Sequence, residues 1–208
     1  MVFNRDVLRI DPAEQLEKLP RFLVEQLNVV FRRKGVVIGL SGGVDSACIA
    51  TIAVRALGKG KVVGLVLPET ETNPISSEYA IKHAQTLGIE YRQIPITSTV
   101  DSVVPYKWRD ELIQKLVPEF RPGYKYNISL PTDLLERDSF SFYRLQVQMP
   151  DGEIKKKRLS LDEFRTITAF ANIKIRARML HLYAEADRRN LLVVGTTNRT
   201  EFVLGDFC

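Results

Sequence analysis

Apolar residues at Leu16, Leu19, Leu23, Leu27, Val30 and Phe31 recur at helical spacing, and Asp11-Pro12 just ahead of them supplies an N-cap with proline at the first helical position. Pro20 inside this stretch predicts a kink or a split into two short helices. The period then changes. Val36-Val37-Ile38-Gly39-Leu40 is a short unbroken apolar run, the pattern of a strand buried on both faces, and Ala47 to Leu57 returns to helical patterning. Lys61 to Leu67 reads as a second strand, Ile75 to Leu87 as a second helix closed by Gly88 at a C-cap position, and Ile89 to Ile96 as a third strand. Strands alternating with amphipathic helices predict an α/β fold, a doubly wound parallel sheet with flanking helices, in which ligands sit at the carboxyl ends of the strands.

Regularity fails between Val100 and Leu161. Prolines at 105, 118, 122, 131 and 150, Trp108 and many of the tyrosines fall here, and Phe140 to Val147 with Glu153 to Leu159 flank a Pro150-Asp151-Gly152 turn, which reads as an inserted β-hairpin region. The stretch is too long for an ordinary connection, so a lid, a recognition element or a dimer contact is expected of it. Phe164 to Arg189 then reads as one long helix, and Leu191-Leu192-Val193-Val194 as a last strand.

At 208 residues the chain is expected to form a single domain over 1–208, and 45% hydrophobic with 26% charged residues is ordinary globular composition. No apolar run approaches the roughly 18 residues of a membrane span, and the first residues lack a signal-peptide pattern, so a cytoplasmic protein is expected. Only Cys48 and Cys208 are present, too few for a disulfide framework. A net charge of +5 allows an anionic partner, for which a nucleotide suffices. Lys155-Lys156-Lys157-Arg158 reads as the solvated face of a hairpin, and nucleic acid is not expected because no aromatic stacking pattern accompanies it.

The candidate chemistry lies in Ser41-Gly42-Gly43-Val44-Asp45-Ser46, between the first strand and the helix after it. Two glycines let the chain turn sharply and bring backbone N–H groups toward a polyanion, and a helix N-terminus adds partial positive charge. Asp45 would repel a phosphate unless a cation stood between them, so the loop predicts a nucleotide together with Mg²⁺. His83 and His181 have no metal-ligating neighbour at useful spacing and read as packed or surface residues; Met179 and Tyr183 read as core.

The loop resembles that of the N-type ATP pyrophosphatases, which cut ATP to AMP and pyrophosphate. Asn172-Ile173-Lys174-Ile175-Arg176-Ala177-Arg178-Met179, Leu182-Tyr183 and Val193-Val194-Gly195-Thr196-Thr197-Asn198-Arg199-Thr200-Glu201 resemble, within that superfamily, the ammonia-dependent NAD synthetases. The resemblance covers roughly Gly35 to Ile96 and Asn172 onward. It implies an adenine nucleotide alpha-hydrolase-like fold. It assigns Gly39, Leu40, Ser41, Gly42, Gly43, Val44, Asp45, Ser46 and Thr196 to ATP, Asp45 and Glu201 to catalysis and Mg²⁺, and Arg176 to the acid dinucleotide, with Lys174 a weaker candidate. Asp45 and Glu201 leave different strands of one sheet, so they can converge on a cation, and Arg176 can offer a planar fork to a phosphate or carboxylate.

The resemblance further implies ATP-dependent amidation of deamido-NAD through an acyl-adenylate, a ligase reaction with ammonia as nitrogen donor, ATP as co-substrate and Mg²⁺ as cofactor. It also implies a homodimer, with a separate glutaminase as a possible nitrogen source. Two alternatives stand beside it: another carboxylic acid as substrate, suggested by the hairpin region, or a nucleotide-binding module without catalysis. The acidic segment Pro68 to Pro74 falls where the family varies. The chain stops at Gly205-Asp206-Phe207-Cys208, where the family continues through a lysine- and glycine-rich loop and further helices, so the C-terminal part of the family domain is expected to be missing.

Overall fold

The computed structural model describes residues 9–130 and 142–205. These divide into two compact units, 1–96 with 178–208 and 97–177.

In the first unit, α1 (Pro12–Glu25) starts where Asp11 accepts hydrogen bonds from the amides of Ala13 and Glu14, satisfying two donors that the first helical turn leaves open. Pro20 does not split it. The helix runs through the proline and ends in a π turn at Gln26–Val30. The lost hydrogen bond falls on the carbonyl of Leu16, a residue exposed to solvent, where water can replace it. Of the apolar stripe read from the sequence, only Leu23 and Leu27 are buried; Leu16, Leu19, Val30 and Phe31 are exposed.

Strands β1 (Gly35–Gly39), β2 (Val62–Val66) and β3 (Glu90–Gln93) are joined by α2 (Val44–Leu57) and α3 (Pro74–Leu87). Helix α3 is capped by Asn73 and closed by Gly88, whose φ of 66° is the left-handed conformation a helix C-cap demands. The third strand is shorter than its apolar pattern, its register with β2 ending at Gln93, although the amides of Ile94 and Ile96 still donate to the carbonyls of Val66 and Pro68. Strand β7 (Leu191–Val193) returns to the other side of β1, giving the parallel order β3-β2-β1-β7 with Val37 opposite Val63 and Val193. Helices cover both faces of such a sheet, which is why Val36, Val37 and Ile38 are all fully buried, each stabilising the fold by roughly 1.5–3 kcal/mol. At the β3 side, the buried carboxylate of Glu185 holds Arg92, Arg188 and Arg189, and Arg189 also bridges to Glu90. Tyr183, read as core, is 54% exposed instead: on a helix packed by one face, apolar spacing alone does not fix which stripe turns inward.

The second unit corrects the reading of an irregular stretch. It contains α4 (Thr97–Val103), α5 (Tyr106–Leu116) and an antiparallel sheet of β4 (Lys125–Ser129), β5 (Arg144–Gln148) and β6 (Ile154–Arg158). The hairpin around Pro150-Asp151-Gly152 is present as β5 and β6, with Gly152 at φ 88°; the start of its first strand at Phe140 lies outside the described residues. This unit has its own core of Ile113, Val117, Phe120, Leu145, Val147, Leu159 and Ile167. Arg109 is 3% exposed, and burial is tolerated because Asp110 takes its Nε and Nη2 donors at 2.8 and 2.6 Å while the Tyr126 hydroxyl takes Nη1 at 3.0 Å. Rings of Tyr106, Tyr126 and Phe170 lie 4.6–5.5 Å from its guanidinium carbon. Helix α6 (Leu161–Arg189) begins in this unit and ends in the first. Among the described residues no helix is long and apolar enough to cross a membrane.

Candidate active site

Strand order fixes where a ligand can enter. The chain builds outward from β1 to β2 and β3, then resumes on the opposite side with β7, so the strand order reverses between β1 and β7, the kind of switch point at which open α/β sheets hold ligands. Ser41 to Ser46 leave the carboxyl end of β1, and Thr196 to Glu201 leave the carboxyl end of the adjacent, parallel β7, whose pairing extends to a bond from the Val194 amide to the Val37 carbonyl at 3.0 Å.

The loop is held by its own small polar side chains. Ser46, 3% exposed, donates its hydroxyl to the Gly43 carbonyl at 3.0 Å and accepts from the Ser41 amide at 3.3 Å, and the two serine hydroxyls lie 3.1 Å apart. Ser41 in turn accepts from the Gly43 amide at 3.2 Å. Larger residues at either position would fill the turn, and apolar ones would leave these groups unpaired. Gly42 has φ 79°, and a Cβ there would meet the Ser76 carbonyl oxygen of α3 at 2.2 Å, so only glycine lets the loop lie against the first turn of α3. Gly39 and Leu40 lead into the loop, with Leu40 buried and its amide bonded to the Leu65 carbonyl.

Gly43 is the N-cap of α2 and has no side chain to offer, so the first-turn amides of that helix carry no side-chain cap. Val44 at 80% exposed and the exposed Asp45 follow in that first turn. An uncapped helix N-terminus after a glycine turn can receive a phosphate. A histidine expected to be a packed or surface residue braces this helix: His83 on α3 donates from Nε2 to the Ala47 carbonyl at 3.1 Å, a carbonyl that also accepts from the Thr51 hydroxyl at 2.8 Å. Nothing in the local sequence of His83 marks this; the contact is between two helices that the fold alone brings together.

The remaining residues sort as follows. Asp45 makes no ion pair or hydrogen bond among the described residues and is free to face a cation. Glu201 is at the third position of α7 (Arg199–Leu204), where it completes a capping box: its Oε2 accepts from the Asn198 amide at 2.9 Å, and the Asn198 side chain accepts from the Glu201 amide at 3.0 Å. This leaves Oε1 outside the cap. Thr196 is half-buried in the segment after β7. Arg176 lies on α6 within the second unit and is exposed, while Arg178 two residues on donates Nε to the Leu67 carbonyl at the end of β2. Two residues apart on a helix they point to different sides, which separates their roles. Lys174 is engaged with the Tyr106 and Phe170 rings.

Sequence reading passed over Glu69. Directly after β2 it is buried, and its carboxylate accepts from the Glu71 amide at 3.1 Å while the Thr72 hydroxyl accepts from its own amide. An acidic residue just past an apolar strand was the available signal. Among the described residues no three metal-ligating side chains converge. A Mg²⁺ here therefore fits only as a phosphate-borne ion completed by one or two carboxylates and water, the usual manner of that cation, and the unengaged Asp45 suits it.

A parallel sheet flanked by helices, with a glycine turn at the switch point, is the architecture of the adenine nucleotide alpha-hydrolase-like proteins. A profile of the NAD synthase family matches residues 15–130 and 140–208, including most of 97–171, where the motifs alone left the chain unmatched. An NH(3)-dependent NAD(+) synthetase of Rhizobium meliloti is 37% identical over 207 residues, covering all of this chain and 61% of the relative. One from Thermotoga neapolitana is 35% identical over 190 residues, 91% of this chain and 59% of the relative. Among solved structures, an NH3-dependent NAD synthetase from Campylobacter jejuni, in complex with the nitrate ion, superposes with a TM-score of 0.60 at 25% identity, over 95% of this chain and 61% of the other. The chain belongs to the NAD synthase family. It spans about three fifths of the length of the curated relatives it matches.

Proposed function

We propose that this chain carries the ATP-binding, acid-activating chemistry of an NH3-dependent NAD synthetase, converting deamido-NAD, ATP and ammonia to NAD, AMP and pyrophosphate. The observation that supports it most is the SGGVDS loop, closed on itself by Ser41 and Ser46, ahead of an uncapped helix and at the β1/β7 switch point. A carboxylate is a poor electrophile toward ammonia. One oxygen of the nicotinate carboxylate attacks the α-phosphorus of ATP, the bond to the bridging oxygen breaks, and pyrophosphate leaves. Ammonia then adds to the acyl carbon, the carbon–oxygen bond to AMP breaks, and a nitrogen-bound proton passes to water as the amide forms.

The chain's part in this reading is positioning and charge. The first-turn amides of α2 take the leaving phosphates, as preorganised donors that need no rearrangement when charge develops. Asp45 and the free oxygen of Glu201 would hold Mg²⁺, which when bound neutralises the pyrophosphate. Thr196 lines the ATP side, and Arg176 offers its fork to the dinucleotide. Free ammonia is the nitrogen source, with a separate glutaminase as the other possible supplier, and the cytoplasm is the proposed setting. A second copy covers the apolar face of α1 and its π turn, where Phe22, Val29, Val30 and Phe31 are exposed; sedimentation velocity checks it by showing a dimer that dissociates on Phe22→Glu.

The test is pyrophosphate release with ATP, Mg²⁺, ammonium and a panel of acids headed by deamido-NAD. Deamido-NAD should be preferred, and Asp45→Asn should remove turnover while the melting temperature holds. Equal release by that variant, or preference for another acid, contradicts the assignment.

A further inference from the structure

The register of the three-stranded sheet decides which residues share a face, because directly paired residues point the same way and neighbours in sequence point oppositely. Leu145 and Val147 are buried, so their partners Tyr126, Ile128, Lys155 and Lys157 belong to the inner face. The outer face then carries Lys125, Asn127 and Ser129 from β4, Arg144, Gln146 and Gln148 from β5, and Ile154, Lys156 and Arg158 from β6.

The two faces treat their cations differently. On the inner face Lys155 is paired with Glu119, and Lys157 lies near Glu163, whose carboxyl is held low first by the Ser160 amide and also by that lysine. The outer face has four cations and no carboxylate, and no ion pair joins those four to any described residue. Arg144 and Arg158 stand directly opposite each other, an arrangement of like charges that weakens a sheet. Lysines on an edge strand guard against edge-to-edge pairing, but Arg144 is on the central strand, where no edge needs guarding.

We propose that this face docks a protein partner through a cluster of carboxylates, of the kind carried by one acidic helix. The face measures about 10 Å across the strands and about 14 Å along them, the footprint of one helix. Carboxylates on a helix at i and i+4 are about 6 Å apart, matching the spacing of Arg144, Arg158 and Lys156, and arginine forks take carboxylates two bonds at a time. Asn127, Gln146 and Gln148 add amide donors and acceptors between the cations. Single-stranded nucleic acid fits less well, since no aromatic ring stands among the nine outward strand residues and the nearby Phe142 ring is covered by the Arg158 guanidinium at 3.2 Å. A membrane surface fits less well too, since Ile154 is the one apolar residue among the nine outward strand residues.

The probe is a fluorescein-labelled, alanine-based helical peptide of about 20 residues with glutamates at i and i+4 along one face, titrated with the full chain and read by anisotropy. Arg144→Glu with Lys156→Glu should weaken binding at least about tenfold, while Lys34→Glu with Lys82→Glu, equal in net charge, should change it less than about twofold. If the reversal variant melts early, Arg144→Gln with Lys156→Gln takes its place and should still lose binding. The proposal fails if both charge reversals weaken binding alike, if the wild-type chain does not bind the peptide at physiological salt, or if duplex RNA or anionic vesicles bind this face more tightly than the peptide. ATP binding and pyrophosphate release, measured alongside, should stay unchanged by Arg144→Glu with Lys156→Glu, so failure here is distinct from failure of the catalytic reading.

Discussion

The parallel unit and the antiparallel unit put their unusual residues in opposite places. In the first, a fully buried sheet delivers its small polar residues to one strand end, where Ser41, Ser46 and two glycines shape backbone rather than fill a core. In the second, the demanding group is inside: Arg109 sits in a box of rings and one carboxylate, and the sheet turns a carboxylate-free basic face to solvent. The lesson is that the site proposed for the first unit is built from backbone geometry, whereas the second unit presents charged surface. Separate cores make the contrast testable.

The largest effect should come from Leu145→Ala in the second core. Leu145 is fully buried, and its truncation should cost about 2–5 kcal/mol in chemical denaturation while leaving ATP affinity within error. A loss of ATP affinity in step with stability would merge what the comparison separates. Ser46→Ala strikes the other unit: it strands the Ser41 amide and removes the bond to the Gly43 carbonyl, so about 1–3 kcal/mol of stability should go together with ATP affinity, read by calorimetric titration.

His83→Ala should cost about 1 kcal/mol and a smaller share of ATP affinity, and His83→Gln, whose amide nitrogen can stand where Nε2 does, should restore both. Affinity lost in the alanine variant and not recovered in the glutamine one would remove the bracing role. Smallest is a pH effect. For Glu90 the Arg189 hydrogen bond holds the carboxyl below its ordinary 4.5, and for Glu185 burial pushes upward but the arginine bonds outweigh it. Folded values depressed in this way stabilise above pH 4.5 and lose that stabilisation as pH falls through them. The melting temperature should therefore hold from pH 7 to 5 and drop below about 4.5, with a shallower drop in Glu185→Gln.

Much of the first unit was legible because its signals are local. Asp11 and Gly88 are caps, and the strand, glycine turn and helix around Ser41 adjoin in sequence; the Asn73 cap of α3 went unread. What failed there was long-range: apolar spacing in α1 marked a face, but only packing shows that Leu23 and Leu27 alone are covered. For Glu201 the motif reading gave only a metal role, and the capping box with Asn198 emerged from the structure. In the second unit β4 offers just Tyr126 and Ile128 as inward residues between proline-rich turns, too short an alternation to stand out, and α5 hides a buried arginine among polar residues. The hairpin was legible because Pro150-Asp151-Gly152 names its own turn.

The claim beneath all of this is that the loop between β1 and α2 is where ATP binds. Calorimetric titration of Mg-ATP into the wild-type chain and into Gly42→Val tests it most directly, because a side chain at φ 79° and 2.2 Å from the Ser76 carbonyl must displace the loop. One site in the wild type and none measurable in a variant that still melts cooperatively is the predicted result. Equal affinity in the two proteins would place ATP elsewhere.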